Sequence, residues 1–146
     1  MRIYVAGDFA RAAEVDALAS RCVAEAGVEV VSRWHRRPDE SEVAAAGRIG
    51  GPADPASAER SARRNVEDID RSDVLVLLTT GGPGRGGRHF ETGYAYAGGK
   101  TVVVVGAVEH AFHWLPGVHR TTSDALVEAL VTIDLAGAGG RPDILP

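Results

Sequence analysis

The sequence lacks the residues that several large classes of protein need. Cys22 is the only cysteine among 146 residues, so the chain can form neither an intrachain disulfide nor a cysteine-based zinc site. Lys and Arg total 16 against 20 Asp and Glu, which leaves a net charge of -4 and no basic excess to neutralise a phosphate backbone. We therefore expect no nucleic-acid polymer as a partner.

Long hydrophobic runs are also missing. No stretch approaches the roughly 20 apolar residues that span a bilayer. The N-terminal residues 1–8 contain only a short apolar run followed by an acid, unlike a secretory signal peptide. The expected location is the cytoplasm, with no membrane partner.

Metal and dinucleotide signatures are weak or absent. His110 and His113 lie three residues apart, but no carboxylate or cysteine is convincingly placed beside them. The turn at Gly7 and Asp8 lacks the spaced glycines that bind a nicotinamide cofactor, which disfavours a dehydrogenase. We expect neither a metal nor a cofactor.

The pattern of apolar runs favours an α/β fold. A length of 146 residues suits one domain, and we assign residues 1–136 to it and 137–146 to a flexible C-terminal tail. Strands are predicted at 3–6, 28–31, 74–78, 101–105 and 118–121, with helices between them. The alternation predicts a mostly parallel five-stranded sheet with helices on both faces.

One edge of this sheet is expected to hold the ligand, because parallel sheets bind ligands at the carboxyl ends of their strands. That edge would collect polar and aromatic residues from three connections. The long polar stretch 32–55, in which one helical turn is predicted at 41–46, is of a length that is usually functional. The candidates outside the glycine-rich segment are Gly7, Asp8, Phe9, Trp34 and His35.

The glycine-rich segment 81–91 precedes a predicted helix near 89–98. Its five glycines let the backbone approach a ligand closely, and the helix N-terminus offers free amide donors. Glu91 is predicted in the first turn, where the helix dipole favours a carboxylate that could act as a nucleophile or simply complement the dipole. Phe90, Tyr94 and Ala97 are predicted to form the packing face, with Gly93 allowing close approach to the sheet.

Four segments carry a family resemblance: IYVAG at 3–7, NVEDIDRSD at 65–73, GRHFETGYA at 87–95 and GKTV at 99–102. Together they resemble the nucleoside 2-deoxyribosyltransferase superfamily, which includes the 2'-deoxynucleoside 5'-phosphate N-hydrolases and related pyrimidine nucleotide N-glycosidases. The likeness spans residues 3 to about 130. It implies a flavodoxin-like or Rossmann-like three-layer sandwich.

The resemblance also implies a reaction. Glu91 would attack the anomeric carbon and expel the base, and the covalent glycosyl-enzyme would be resolved by water or by a second base. Tyr4 matches a family tyrosine that could orient Glu91 by a hydrogen bond, or it could be an ordinary strand aromatic.

Two positions depart from the family pattern. Asn65 stands where the family usually has an acid that helps to bind or protonate the substrate. Asn65 could still bind a sugar hydroxyl or the base, and Asp68, one turn on, could supply the missing carboxylate. Arg85 stands where transferases place an acid and the monophosphate hydrolases a small hydroxyl residue, and a guanidinium there favours a nucleotide phosphate.

The remaining candidates surround these positions. Gly86, Gly87, Arg88 and His89 continue the loop, and Arg88 could assist Arg85. Trp34 could stack on the base and His35 could donate to it, although an ordinary loop histidine is the alternative for His35. The segment 112–114 (Phe-His-Trp) is expected at a subunit boundary, because in this superfamily a neighbour often completes the pocket. A homodimer or higher homo-oligomer is expected.

The leading hypothesis is therefore an enzyme that cleaves the N-glycosidic bond of a (deoxy)nucleoside 5'-monophosphate with Glu91 as nucleophile. One alternative is a nucleoside 2-deoxyribosyltransferase that exchanges bases. The other is a nucleotide-binding module without catalysis, which Asn65 favours. A phosphoribohydrolase of the lysine-decarboxylase-like family ranks lower, because its paired-acid and glycine pattern is missing.

Overall fold

The computed structural model describes residues 1–36, 55–79 and 86–136. Its strands are β1 (Arg2–Ala6), β2 (Glu29–Val30), β3 (Val74–Leu78), β4 (Thr101–Val105) and β5 (Val118–Thr121). Its helices are α1 (Ala12–Ala26), α2 (Pro55–Arg71), α3 (Gly87–Ala97) and α4 (Leu126–Leu135), and two 3₁₀ turns span Phe9–Arg11 and Ala111–Trp114. The predicted helical turn at 41–46, residues 81–85 of the glycine-rich segment and the predicted tail 137–146 lie outside the described residues.

The five strands form one parallel sheet in the order β2-β1-β3-β4-β5. This confirms the predicted α/β fold and is the strand order of flavodoxin-like proteins. Every residue of β3 is buried, as the continuous apolar run predicts for a strand covered on both faces. β2 is shorter than predicted, with only two residues in the sheet.

The helices cover both faces of the sheet. The chain leaves β1 towards β2 in one direction and crosses from β3 to β4 in the other, so right-handed crossovers place α1 and α3 on opposite faces. α1 packs against α4, and α2 packs against α3. Within the described ranges, no helix combines the length and apolar character that crossing a membrane requires.

The prediction for the packing face of α3 is wrong. Phe90 is 65% exposed, and Tyr94 and Ala97 are also exposed. The face towards the sheet instead carries Arg88 and Ala95, both buried. Gly93 does not serve close approach to the sheet either, since a side chain added there would meet nothing within 4 Å. The apolar stripe of α3 therefore faces away from the core.

Candidate active site

Two side chains from separate elements reach Glu91. The Tyr4 hydroxyl, on β1, donates a hydrogen bond to Glu91 Oε1 at 2.7 Å. The Asn65 amide, on α2, donates to the same oxygen at 3.2 Å. Tyr4 is fully buried in the sheet, so its ring fixes where its hydroxyl can lie. Tyr4 and Asn65 both donate to Oε1, so Oε2 is the oxygen that could react with a ligand.

Burial dominates the electrostatics of Glu91. Desolvation raises its pKa to about 7, although the hydrogen bonds from Tyr4 and Asn65 act in the opposite direction. The prediction that Glu91 lies in the first turn of its helix, where the dipole would favour ionisation, is wrong. α3 begins at Gly87, which puts Glu91 in the second turn, and the first turn has no acidic residue. The surroundings of low polarity therefore bring the pKa of the Glu91 carboxyl group close to neutral pH.

Asp68, the predicted substitute acid, is engaged elsewhere. It is fully buried, and Arg33 holds it with Nε 3.0 Å from Oδ2 and Nη2 2.7 Å from Oδ1. Arg71 Nη1 adds a third contact at 3.7 Å. The Asp68 carboxylate links α2 to the segment that follows β2. Because it has no exposed surface and two guanidinium partners, we do not assign it to proton transfer.

Arg88, which was predicted to assist Arg85, lies in a buried ion pair. Its Nη2 donates to Glu109 Oε2 at 2.8 Å, and its Nη1 lies 3.8 Å from Asp8 Oδ2. Asp8 also accepts a hydrogen bond from the Ala10 amide at 3.0 Å, capping the first 3₁₀ turn. Sequence reasoning missed Glu109. The signal available was Arg88 itself, because a cation in the first turn of a helix opposes the dipole and needs an acidic partner.

Gly7, Phe9 and Trp34 form a packing unit. Trp34 is only 3% exposed, and its Nε1 donates to the Val5 carbonyl at 2.9 Å. The Phe9 ring packs edge-on against it, with centroids 5.1 Å apart. A Cβ on Gly7 would come within 2.8 Å of Val15 Cγ2, so glycine is required there by packing. Trp34 does not present the open face that base stacking needs.

His35 is likewise enclosed and is 4% exposed. Its Nε2 lies 3.1 Å from Ser32 Oγ and its Nδ1 lies 3.2 Å from Asp16 Oδ1. Burial lowers its pKa, which favours the neutral imidazole. Both ring nitrogens have protein partners, so neither predicted reading, base donor or exposed loop histidine, matches its place in the fold.

Three histidines lie close together near the start of α3: His89 on α3 itself, and His110 and His113 at the second 3₁₀ turn. The His89 ring lies 5.6 Å from that of His110 and 6.4 Å from that of His113. Burial lowers the pKa of both His89 and His113. Gly86 caps α3 and Gly87 is its first residue, both exposed, while Arg85 lies outside the described residues. Residues 1–36, 55–79 and 86–136 contain no group of His, Cys, Asp or Glu arranged to hold a metal ion.

The comparisons with known proteins identify the family. The nucleoside 2-deoxyribosyltransferase family model matches residues 3–131. The chain belongs to the nucleoside 2-deoxyribosyltransferase family. Two of the solved structures that match have a similar fold. The Clostridium botulinum CMP N-glycosidase BcmB is 18% identical, with TM-score 0.54 and coverage of 92% of this chain and 99% of that one.

The second solved structure is a conserved protein from Enterococcus faecalis V583. It is 19% identical, with TM-score 0.52 and coverage of 91% of this chain and 87% of that one. No curated protein matches the chain in sequence. The family membership supports an enzyme that acts on nucleosides or nucleotides, and the fold places Glu91 at the ligand-binding edge expected for such sheets.

Proposed function

We propose that this deoxyribosyltransferase-family protein hydrolyses the N-glycosidic bond of a (deoxy)nucleoside 5'-monophosphate, with Glu91 as the nucleophile. The observation that carries the proposal is the pair of hydrogen bonds from Tyr4 and Asn65 to one oxygen of Glu91. A carboxylate fixed by two neutral donors presents its second oxygen in one orientation, as a glycosidic nucleophile requires.

The reaction runs in two steps. Glu91 Oε2 bonds to the anomeric carbon as the carbon–nitrogen bond breaks, and the electron pair leaves with the base. Water then attacks the anomeric carbon and the bond between this carbon and Glu91 breaks. The hydroxyl of the water stays on the sugar, its second proton passes to the departed base, and Glu91 regains its carboxylate. Tyr4 and Asn65 hold Oε1 throughout, which limits rotation of the carboxyl group and favours a near-attack geometry.

The same geometry indicates the source of the proton that the leaving base takes up. Asn65 is a hydrogen-bond donor to Glu91 and cannot act as an acid, and Asp68 is fully buried against Arg33. In the proposed mechanism the base therefore takes its proton from water. A pyrimidine, whose ring carbonyls can stabilise the departing negative charge, suits this arrangement.

The preference for a phosphorylated substrate rests on Arg85 and on the neighbour named a CMP N-glycosidase. Incubation with nucleosides and nucleoside monophosphates, in the ribo and deoxy series, tests it when the products are resolved by chromatography. Release of free base and sugar phosphate from the monophosphates alone is the expected result. Equal cleavage of unphosphorylated nucleosides would contradict it.

Transfer rather than hydrolysis is distinguished in the same assay by adding a second base. Formation of a new nucleoside would establish the deoxyribosyltransferase reaction and displace hydrolysis. Asn65 also favours the alternative of a nucleotide-binding protein without catalysis, because the family usually has an acid at this position. Calorimetric binding of a monophosphate with no turnover over hours would select that function.

A further inference from the structure

We propose that the 3₁₀ turn between β1 and α1 positions Glu91: Arg11 binds the end of β3, and Asp8, at the start of the turn, contacts Arg88 on α3. The inference rests on the proposed function, in which Glu91 is the nucleophile. Asp8 and Arg11 are assigned no contact with the substrate and are positioning residues. They act on the reaction through α3, the helix that carries Glu91.

Thr79, the residue after β3, is held from two sides. Its amide and its hydroxyl both donate to the Val105 carbonyl at the end of β4, each at 3.0 Å. Its own carbonyl accepts a hydrogen bond from Arg11 Nη1 at 2.9 Å. A Cβ on Gly106 would lie 2.6 Å from Thr79 Oγ1, so glycine leaves the room that this approach needs. The end of β3 is thus fixed both to β4 and to the 3₁₀ turn.

Arg88, in the first turn of α3, is held by acids from two connections. Its side chain is 1% exposed, and Nη2 lies 2.8 Å from Oε2 of Glu109, which follows β4. Nη1 lies 3.8 Å from Asp8 Oδ2. The Asp8 carboxylate also caps the 3₁₀ turn, because its Oδ1 accepts a hydrogen bond from the Ala10 amide. A shift of the turn would therefore move a charge that Arg88 faces.

The charges around the turn favour positioning over the binding of a phosphate. Arg88 has the Glu109 carboxylate at 2.8 Å, and Arg11 Nε has Glu14 Oε1 at 2.9 Å. The hydrogen bond to Glu14 is the main cause that raises the pKa of Arg11, and the charges of Asp8 and Glu109 add to it. Each guanidinium thus already faces carboxylates, with which a phosphate would have to compete. These arginines are suited to hold protein groups in place.

The position of α3 determines where the reactive oxygen of Glu91 lies. Glu91 is one helical turn after Arg88, so movement at the start of α3 displaces its backbone. A displacement of about 1 Å at a reacting atom can lower a rate by about a hundredfold. Loss of the contacts of the 3₁₀ turn is therefore expected to lower kcat more than it raises KM.

Arg11→Met and Asp8→Asn test the turn at its two contacts. Arg11→Met removes the donor to Thr79, and Asp8→Asn removes the charge beside Arg88 while its amide oxygen can still cap the turn. Each should lower kcat for the preferred monophosphate at least about tenfold, with KM changed less than about threefold. Because both changes release the same turn, kcat of the double variant should lie within about twofold of the slower single variant.

Two further variants are the controls. Arg11→Lys keeps a cationic donor for the Thr79 carbonyl and should keep kcat within about threefold of the wild-type value. Glu14→Gln alters the partner of Arg11 that is 59% exposed, and it should leave kcat unchanged. Urea unfolding of all variants checks that each is folded under the conditions of the assay.

Hydrogen exchange tests the inference without turnover. The amides of His89 and Phe90 both donate to the Gly86 carbonyl at the start of α3. The two single variants should speed their exchange at least about tenfold relative to the amides of α4, and Glu14→Gln should not. This result in a protein that cleaves no monophosphate would support the role of the turn and contradict the proposed function. Unchanged exchange, additive losses of kcat, or a raised KM with unchanged kcat would overturn the inference.

Discussion

Two carboxyl groups beside α2 behave in opposite ways. Asp68 belongs to α2 and is held by the guanidinium of Arg33, whereas Glu91 reaches α2 from α3 and is held by the neutral donors Tyr4 and Asn65. Charge neutralisation makes the first a structural tie between α2 and the end of β2. Neither Tyr4 nor Asn65 carries a positive charge. Desolvation therefore prevails and raises the pKa of Glu91 to about 7. Both carboxyl groups lie in enclosed surroundings, so their partners distinguish the structural acid Asp68 from Glu91, for which we propose the role of nucleophile.

Neutralisation of Glu91 is expected to have the largest effect on the reaction. Glu91→Gln should lower kcat by at least about four orders of magnitude, because the amide cannot form the glycosyl ester. Release of base from the preferred monophosphate, followed by chromatography at pH 8, measures the loss. Unchanged calorimetric affinity for the monophosphate would show that the site still assembles, and a retained rate would remove the proposed mechanism.

The same variant should reveal the cost of ionising Glu91 in the folded protein. As pH rises from 4.5 to 7, the unfolded chain loses this proton first, so wild-type stability falls across that window and levels off above it. Glu91→Gln should therefore be the more stable protein at pH 8, by up to about 3 kcal/mol, with the difference vanishing near pH 4. Urea unfolding at both pH values measures it. A difference independent of pH would show that ionisation is not its cause.

The centre of the sheet could be predicted from the sequence because β1, β3 and β4 each contain a local apolar run. The runs at 74–78 and 101–105 coincide with β3 and β4 residue for residue. The resemblance pointed to Tyr4 as the partner of Glu91, and the structure brings the two together, while the catalytic role of both stays a prediction.

Other features depend on contacts between distant residues. Arg88 is buried on α3 against Glu109, 21 residues further along the chain, and no helical periodicity could reveal this pair. The enclosure of Trp34 follows from Gly7 and Phe9, brought beside it only by the sheet. Local patterns therefore locate elements better than they locate the faces that those elements bury.

Asp68→Asn tests the structural half of the comparison. It removes a charge that Arg33 satisfies, and we expect a loss of about 2 kcal/mol in the free energy of unfolding, with kcat unchanged. Glu67→Gln is the control, because Glu67 is 70% exposed and lies 3.9 Å from the same arginine. Chemical unfolding and steady-state rates of both variants decide the result. A large loss of kcat with intact stability would return Asp68 to the role of general acid.

Asn65→Asp would place a second carboxylate beside Glu91. Repulsion should raise the pKa of Glu91 further, so the midpoint of the pH–rate profile should rise by about one unit, with lower rates at neutral pH. Tyr4→Phe should move the midpoint in the same direction, because it removes a hydrogen bond that favours the ionised form. If Asn65→Asp instead gains rate at low pH, base departure needs an acid. The amide would then limit catalysis rather than hold the nucleophile.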